Sequence, residues 1–415
     1  DESIRCGIGI LEGYDGMETW SANAYQDGEI DLRMGMLNME IHPMLRGLKK
    51  AWKNGESGYQ YDYDREDVQR YYKALNNEPE YPFNADLKRL PEKQFHNSFF
   101  FSEGILFSFT ENRLTEEAKN ILRRFASVFG QTYRRYLDLQ KAEAQARESQ
   151  IEASLERVRS KTMAMHNSQD VSDTVITLFQ EVVGLGLDNS IRCGIGIHHE
   201  NDRMETWSVN SDLKGDVDLK MGMLNMGVHP MLVEITKARE KGVKRFYHEL
   251  TGEDVTRYYR ALNNEPEYPL KVDLKTLPDK QYNNVFFFRD GVLFAFTQNP
   301  LSEEANRVLE RFASVFGQTY RRYLDLQKAE AQAREAQIEA ALERIRARAM
   351  AMHSTDELTD VLGVLFDQFD FLGINPVLTH LTLFDEENET FTLRIATSGT
   401  NRTIAEQHID VNAVE

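Results

Sequence analysis

Ser190-Ile191-Arg192-Cys193-Gly194-Ile195-Gly196-Ile197 sets apolar side chains at every second position, the period of a half-buried strand. The same eight residues stand at positions 3–10, an offset of 187. Outward from this strand the offset holds without a gap. Met-Glu-Thr-Trp-Ser occurs at Met17 and Met204, Met-Gly-Met-Leu-Asn-Met at Met34 and Met221, and ALNNEPEYP at Ala74 and Ala261. The run FASVFGQTYRRYLDLQKAEAQARE begins at Phe125 and again, unchanged, at Phe312. A third unit follows: His353 matches His166 and Phe366 matches Phe179, with the similarity fading from about residue 375. Such a period is too long for a solenoid and suits a domain plus its connector. The first copy opens at the equivalent of Asp188 and the third unit stops at Glu415, so the expectation is a piece of a longer protein.

Composition bounds the function classes. At 415 residues, 41% hydrophobic and 10% aromatic, the chain can build two to four cored domains. A formal charge of −18 repels phosphate backbones and anionic lipid, so nucleic acid is excluded as an expected partner. No uncharged apolar run reaches the roughly 20 residues of a membrane span, so no membrane insertion is expected either. Two cysteines, Cys6 and Cys193, support no disulfide framework or zinc site, which fits a reducing cytoplasm.

The second copy reads as follows. Asn167, Ser168 and Asp170 start a helix whose face carries Val171, Val175, Leu178, Phe179 and Val182, and Gly184 and Gly186 stop it. Strands are predicted over 191–197, 204–209, 217–224 and 244–250. His229-Pro230 opens a helix bearing Met231, Leu232 and Ile235. A short helix over 253–262 precedes a loop with Pro266, Pro269 and Pro278. Asp290-Gly291 between apolar runs then signals a hairpin. Residues 301–352 hold no proline and one glycine, Gly317, and are rich in Ala, Glu, Gln and Arg. As one helix they would reach about 78 Å. An apolar stripe opens this helix (Leu309, Phe312, Phe316, Tyr320, Tyr323), and a second, alternating by four and three, closes it (Ile338, Leu342, Ile345, Ala349, Met352). That alternation predicts a two-stranded parallel seam, with Phe312, Phe316, Ile338, Leu342 and Ile345 in a homodimer; a lone solvated helix held by pairs such as Glu330–Arg334 is the other reading. Ser354 and Glu357 have the spacing of a capping box for the next helix.

A helix, antiparallel strands with a helical excursion, a hairpin and a long exit helix together resemble the GAF domain. The linker KAEAQAREAQIEAALERIRARAMAMHSTDEL, from Lys328, resembles the connector of multi-GAF sensor proteins of Bacteroidetes-type bacteria. The resemblance implies an α+β fold: repeated GAF-like domains, each a six-stranded antiparallel sheet flanked by helices, joined by coiled-coil-like signalling helices. One face carries the entry and exit helices and the other a small-molecule pocket. It implies a cytoplasmic sensory part of a histidine kinase or nucleotide cyclase, as in two-component systems. The expected division is 1–113, a first domain lacking its N-terminal helix; 114–166, a linker helix; 167–300, a second domain; 301–353, a second linker; and 354–415, the start of a third.

The ligand is not legible. The Asn-Lys…Phe…Asp-Glu pattern of cyclic-nucleotide-binding members is missing. So are the loop cysteine followed by histidine of bilin binders and the loop cysteines of free-methionine-sulfoxide reductases. No haem, bilin or cyclic-nucleotide signature remains, and the cofactor is left unassigned. Cys6 and Cys193 sit mid-strand and read as packing residues. His42 and His229, each before a proline, read as helix-start residues, with no second ligand to make a metal site. His166 and His353 lack the continuation of a phosphoacceptor box and read as helix breaks.

The pocket candidates are Arg192, Trp207, Met221, Met223, His229, Tyr258 and Tyr259, with Arg5, Trp20, Met34, Met36, His42, Tyr71 and Tyr72 in the first copy. The methionines serve equally as pocket wall or core filler, and the arginines as anion ligands or solvated strand ends. A ligand would lie between the sheet and the segment 229–262. No Walker loop, His-Glu-x-x-His, nucleophile elbow or kinase glycine motif is present, so no catalysis is expected. The expected function is reception and transmission of a small-molecule or conformational signal; the alternative is a ligand-free dimerisation stalk.

Overall fold

A computed structural model describes residues 3–11, 16–24, 30–81, 85–165, 168–187, 192–211, 217–269, 271–354, 357–374, 378–385, 387–388, 390–397 and 404–410. His166, Asn167 and Ile191 lie outside them. The chain divides into two compact units, 1–149 and 150–415, and the division falls inside a long helix. The first unit holds β1 (Ser3–Ile10), β2 (Gly16–Ala24), β3 (Ile30–Asn38), α1 (Pro43–Lys53), β4 (Gly58–Tyr63), α2 (Arg65–Asn76), β5 (Gln94–Phe101), β6 (Gly104–Thr110) and the start of α3 (Glu116–Met163). The second continues with α4 (Ser168–Gly184), β7 (Arg192–His198), β8 (Arg203–Ser211), β9 (Val217–Asn225), α5 (Pro230–Glu240), β10 (Arg245–Thr251), α6 (Glu253–Asn264), β11 (Lys280–Phe288), β12 (Gly291–Thr297) and α7 (Glu303–Met350). It ends with α8 (Leu358–Phe371) and a three-stranded sheet of β13 (Leu378–Asp385), β14 (Thr390–Thr397) and β15 (Ile404–Asp410).

Each repeat is a six-stranded antiparallel sheet. The order is β3-β2-β1-β6-β5-β4 in the first and β10-β11-β12-β7-β8-β9 in the second, the same order read from opposite ends. The alternation of the opening strand divides the second repeat into two cores. Cys193, Ile195 and Ile197 face a layer made by the end of α3, α4 and the start of α7, packing with Leu155, Val175, Phe179, Phe312 and Phe316. The opposite face packs under α5 and α6 with Met204, Leu232, Ile235, Val255, Tyr258, Phe294 and Phe296. On that face the opening strand carries glycines because no side chain fits. A Cβ on Gly194 would lie 2.0 Å from the Trp207 carbonyl oxygen and 2.7 Å from the Phe294 ring.

The local turn and cap signals hold with some shifts. Gly186 takes φ +64 just past α4, as a helix stop requires. In the β11–β12 hairpin Gly291 pairs with Phe288, so Arg289 and Asp290 form the turn rather than Asp290 and Gly291. Gly291 is there because the Gly196 carbonyl oxygen would lie 2.0 Å from any Cβ. The left-handed pair that a tight primed turn uses is instead Asn201 and Asp202, with φ 61 and 54, between β7 and β8. The expected capping box is not formed: Glu357 is itself the N-cap of α8, with no side-chain cap.

Helix α7 runs unbroken for 48 residues, about 72 Å, straight through KAEAQAREAQ. Ser302 caps its start by accepting from the Ala305 amide at 3.1 Å. Two seam candidates are corrected. Phe312 and Phe316 are fully buried in their own domain beneath the sheet and offer nothing to another chain. Nearer the C-terminus, α8 packs along α7, burying Ala341 and bonding Arg344 to Gln368 at 2.9 Å. Ile338 and Ile345 are half-buried, and Leu342 is 46% exposed.

Candidate functional site

The cavity of the second repeat lies between the sheet and helices α5 and α6. Arg192, Met204, Thr206, Leu232, Ile235, Tyr258, Tyr268, Val285, Phe294 and Phe296 are among its walls. Its free volume is ≈ 20 Å³, room for about one water. The equivalent cavity of the first repeat, around Arg5, Met17, Thr19, Tyr71, His96, Phe107 and Phe109, measures ≈ 10 Å³.

Arg192 is the centre of this site. It begins β7 on the cavity side and is 3% exposed, so the strand-end solvation considered for it is excluded. Its Nη2 donates to the Tyr258 hydroxyl at 2.9 Å. The guanidinium carbon lies 4.7 Å from the Phe296 ring centre, 5.7 Å from Tyr259 and 5.9 Å from Phe294. Burial opposes its charge, and the hydroxyls of Tyr268, Tyr258 and Tyr259 favour it. Burial likewise pushes the Tyr258 hydroxyl well above its ordinary pKa, so it stays a neutral hydrogen-bonding group. Tyr259 turns the other way, donating to Gln281 at 2.5 Å, and Gln281 donates to Asn283 at 2.6 Å.

In the first repeat Arg5 also donates to Tyr81, and Gln94 donates to Tyr72 at 3.0 Å. His96 replaces Asn283 and sits 2.6 Å from Ser98. Burial, then the charge of Arg5, lowers its pKa to about 3.

His42 and His229 are buried N-caps. Each accepts, through Nδ1, from the amide two residues on, Met44 at 3.2 Å and Met231 at 3.3 Å. Each also stands edge-on to a tyrosine, Tyr71 or Tyr258, 5.3 Å between ring centres. They stand behind the cavity wall, and burial lowers the pKa of both.

Three other pairs of candidates require correction by strand register. Directly paired residues share a face. Ile195 pairs with Trp207, and Trp207 with Met221; Ile197 pairs with Glu205, and Glu205 with Met223. Trp207, Met221 and Met223 therefore belong to the helix-layer side. Met221 accepts from Ser172 of α4 at 3.2 Å and is 45% exposed. Trp20, Met34 and Met36 follow the same register, Ile8 to Trp20 to Met34 and Ile10 to Glu18 to Met36. The cavity methionines are Met204 and Met17, one residue out of phase with the tryptophans. Tyr71 and Tyr258 line the cavities; Tyr72 and Tyr259 sit beside them, hydrogen-bonded to the sheet.

Residues not singled out from sequence complete the wall: Thr206, Tyr268, Phe294 and Phe296, with Gln281 behind. The signal for Phe294 and Phe296 is their alternation along β12, where they pair with Gly194 and Arg192 of β7. Cys193 is fully buried, its thiol pushed up to about 12, whereas Cys6 is exposed. Among the described residues no group of His, Cys, Asp and Glu could hold a metal, and no helix is long and apolar enough to cross a membrane.

No family model and no curated protein matches the chain. Among solved structures, the crystal structure of bacteriophytochrome RpBphP3 from the photosynthetic bacterium R. palustris is similar over 75% of this chain and 56% of that one. The sequence identity is 10% and the TM-score 0.30. The chain thus spans just over half the length of that protein. The fold is of the α+β class, with two six-stranded antiparallel sheets and flanking helices, an architecture compatible with GAF-like domains.

Proposed function

We propose that the repeats are sensory and regulatory modules of a signal-transduction protein. In this reading a small molecule, or a change in packing, acts on the α5–α6 face of a sheet. The sheet passes the change to the helices on its other face, and α7 carries it to an output. The linker's resemblance implies a kinase or cyclase as that output. The observation that supports this reading is the two-sided sheet. One face encloses a buried cation, and the other shares its core with a helix that continues for about 40 Å past the domain, the length of some 27 residues. A ligand can drive such a change only by binding one helix arrangement more tightly than another. No catalytic step is assigned to the chain, and its partners are a second copy along the linker helices and a small molecule.

A second reading, a ligand-free structural stalk, is favoured by the size of the cavities, which their own Met, Tyr and Phe side chains nearly fill. Hydrogen exchange on the full chain separates the two, using any compound that raises its melting temperature. Sensing requires altered protection both in α6 and β12 and at 338–350 of α7. Protection confined to the cavity walls removes the transmission step, and no stabilising compound in a broad metabolite panel leaves the ligand-free stalk.

A further inference from the structure

We propose that the cavity of the second repeat is built for a small organic acid, whose carboxylate is held by Arg192. The inference rests on the pocket reading above and names the ligand's chemistry. Its ground is a charge without a counter-charge. Among the described residues Arg192 makes no ion pair, and its Nε and Nη1 have no hydrogen-bond partner. Only Nη2 is engaged, by the neutral Tyr258 hydroxyl. Arg192 is the one charged residue among the described walls of the cavity, which are otherwise apolar or aromatic apart from the hydroxyls of Thr206, Tyr258 and Tyr268. Ring faces around a guanidinium offset part of the loss of water, but they accept none of its remaining N–H bonds. Arginine does not shed its proton, so the charge stays.

The features of the cavity narrow the anion. A carboxylate is planar and monovalent, so one neutralises one buried guanidinium; a phosphate dianion would replace an unpaired cation with an excess negative charge in an apolar surround. The free volume of ≈ 20 Å³ holds about one water, so the acid enters only as a wall side chain gives way. Its apolar tail needs space that one side chain can yield. Met204 lies over the floor of the sheet, its sulfur 2.5 Å from where a Cβ on Gly196 would stand. A thioether with rotatable bonds gives way more readily than the rings opposite. Displacing Met204 opens the volume between Leu224, Ile235 and Val285, which suits a short aliphatic or aromatic acid.

The test is calorimetric titration of the full chain at constant ionic strength with acetate, butyrate, hexanoate and phenylacetate. Chloride, phosphate and the matching primary amides are the controls. The experiment uses chains carrying Arg5→Met, so that the second repeat alone reports. Binding that strengthens from acetate to hexanoate, weakens about ten- to a hundredfold in Arg192→Lys and vanishes in Arg192→Met is expected. Circular dichroism establishes that each variant is folded, and Met204→Ala, which enlarges the cavity without touching the charge, should bind the longer acids more tightly. Equal binding of chloride, phosphate or the amides overturns the carboxylate assignment. So does a ligand from a wider panel that binds Arg192→Met as tightly as the parent; the pocket then stands without this chemistry. No ligand of any class, with all variants folded, removes the pocket reading itself.

Discussion

Phe312 and Phe125 occupy equivalent positions in an identical stretch of sequence, yet Phe312 is completely buried and Phe125 is 62% exposed. The difference comes from what covers them. In the second repeat Leu155 and Val158 of α3, and Val175 and Phe179 of α4, close the helical layer over the sheet. In the first repeat the corresponding layer core is smaller: among the described residues its buried members are Ile10, Phe99, Phe101 and Ala126. In keeping with this, Cys6 is exposed while Cys193 is sealed.

Identical substitutions should therefore have unequal costs. Phe312→Ala removes a ring from a closed core and is expected to cost about 3–5 kcal/mol. Phe125→Ala, on the exposed face, should cost no more than about 0.5 kcal/mol. Denaturant unfolding followed by domain-resolved hydrogen exchange measures both, because a two-unit chain need not unfold in one step. Equal losses would mean that Phe125 is covered in solution.

The buried guanidinium makes two substitutions on one hydrogen bond differ in sign. Tyr258→Phe takes away the partner of Arg192 Nη2 and leaves the cation, so it should destabilise the second repeat by about 1.5–3 kcal/mol. Arg192→Met takes away the cation itself and fills much of the same space. It should be neutral, or stabilising by up to about 4 kcal/mol. Melting curves of the two variants without added acids are the measurement. Destabilisation by Arg192→Met comparable to that of Tyr258→Phe would show that the arginine is held by more than this bond.

Much of the fold was legible because it rests on local periodicity. The alternation at 192–197, the Pro after His229 and the proline-free run after 301 each specify an element from a few neighbouring residues. The cavity was less legible because its walls depend on cross-strand register, where an error of one position exchanges the faces. The Met-Gly-Met of β9 suggests a pocket wall, but its pairing with Trp207 and Glu205 turns both methionines toward the helix layer. Met204, in the neighbouring strand, lines the cavity. The first stripe of α7 failed for another reason. An apolar stripe predicts burial without naming the partner, and Phe312 and Phe316 are buried by their own sheet and helices.

Register also revises where a cavity-filling substitution belongs. Met204→Trp should occupy the space above Gly196 and abolish binding of any cavity ligand. Met223→Trp, on the other face, should leave binding within about threefold, less than about 0.7 kcal/mol. Titration with the tightest ligand of the folded chain compares them, and equal effects would contradict the pairing of Met223 with Glu205.

Acid should weaken the first repeat through His96. Its pKa is about 3 when folded and near 6.5 when unfolded, so between these values the unfolded chain binds the extra proton. The stability that neutral His96 permits is complete above about pH 6.5 and falls as the pH drops, by up to about 1.4 kcal/mol per unit, until about pH 3. His96→Asn, which copies Asn283 of the second repeat, should flatten that part of the profile. Unfolding of the first repeat measured from pH 7 to pH 4 is the check. An unchanged slope in the variant would move the effect to another group, such as His42, whose pKa burial also lowers.

The end of α7 is where a second copy would bind. Within the second unit α8 covers one side of this helix and buries Ala341, but Leu342 remains 46% exposed and Met350 81% exposed. A leucine on a helix that extends beyond its sheet gains most of its burial free energy, about 1.5–3 kcal/mol when complete, only from a partner. The expected state is a parallel homodimer with Leu342 against Leu342, a contact from each heptad-like turn adding to the next. Leu342→Glu places two like charges in that seam and should give monomers at micromolar concentration by light scattering. Ile345 is a poorer probe, because it is half-buried already and its replacement would also disturb the domain that contains it. If the parent chain is itself a monomer, the exposed leucine is a solvated helix face and α7 transmits nothing between copies. If Leu342→Glu stays dimeric with its folding intact, the seam lies elsewhere on the chain.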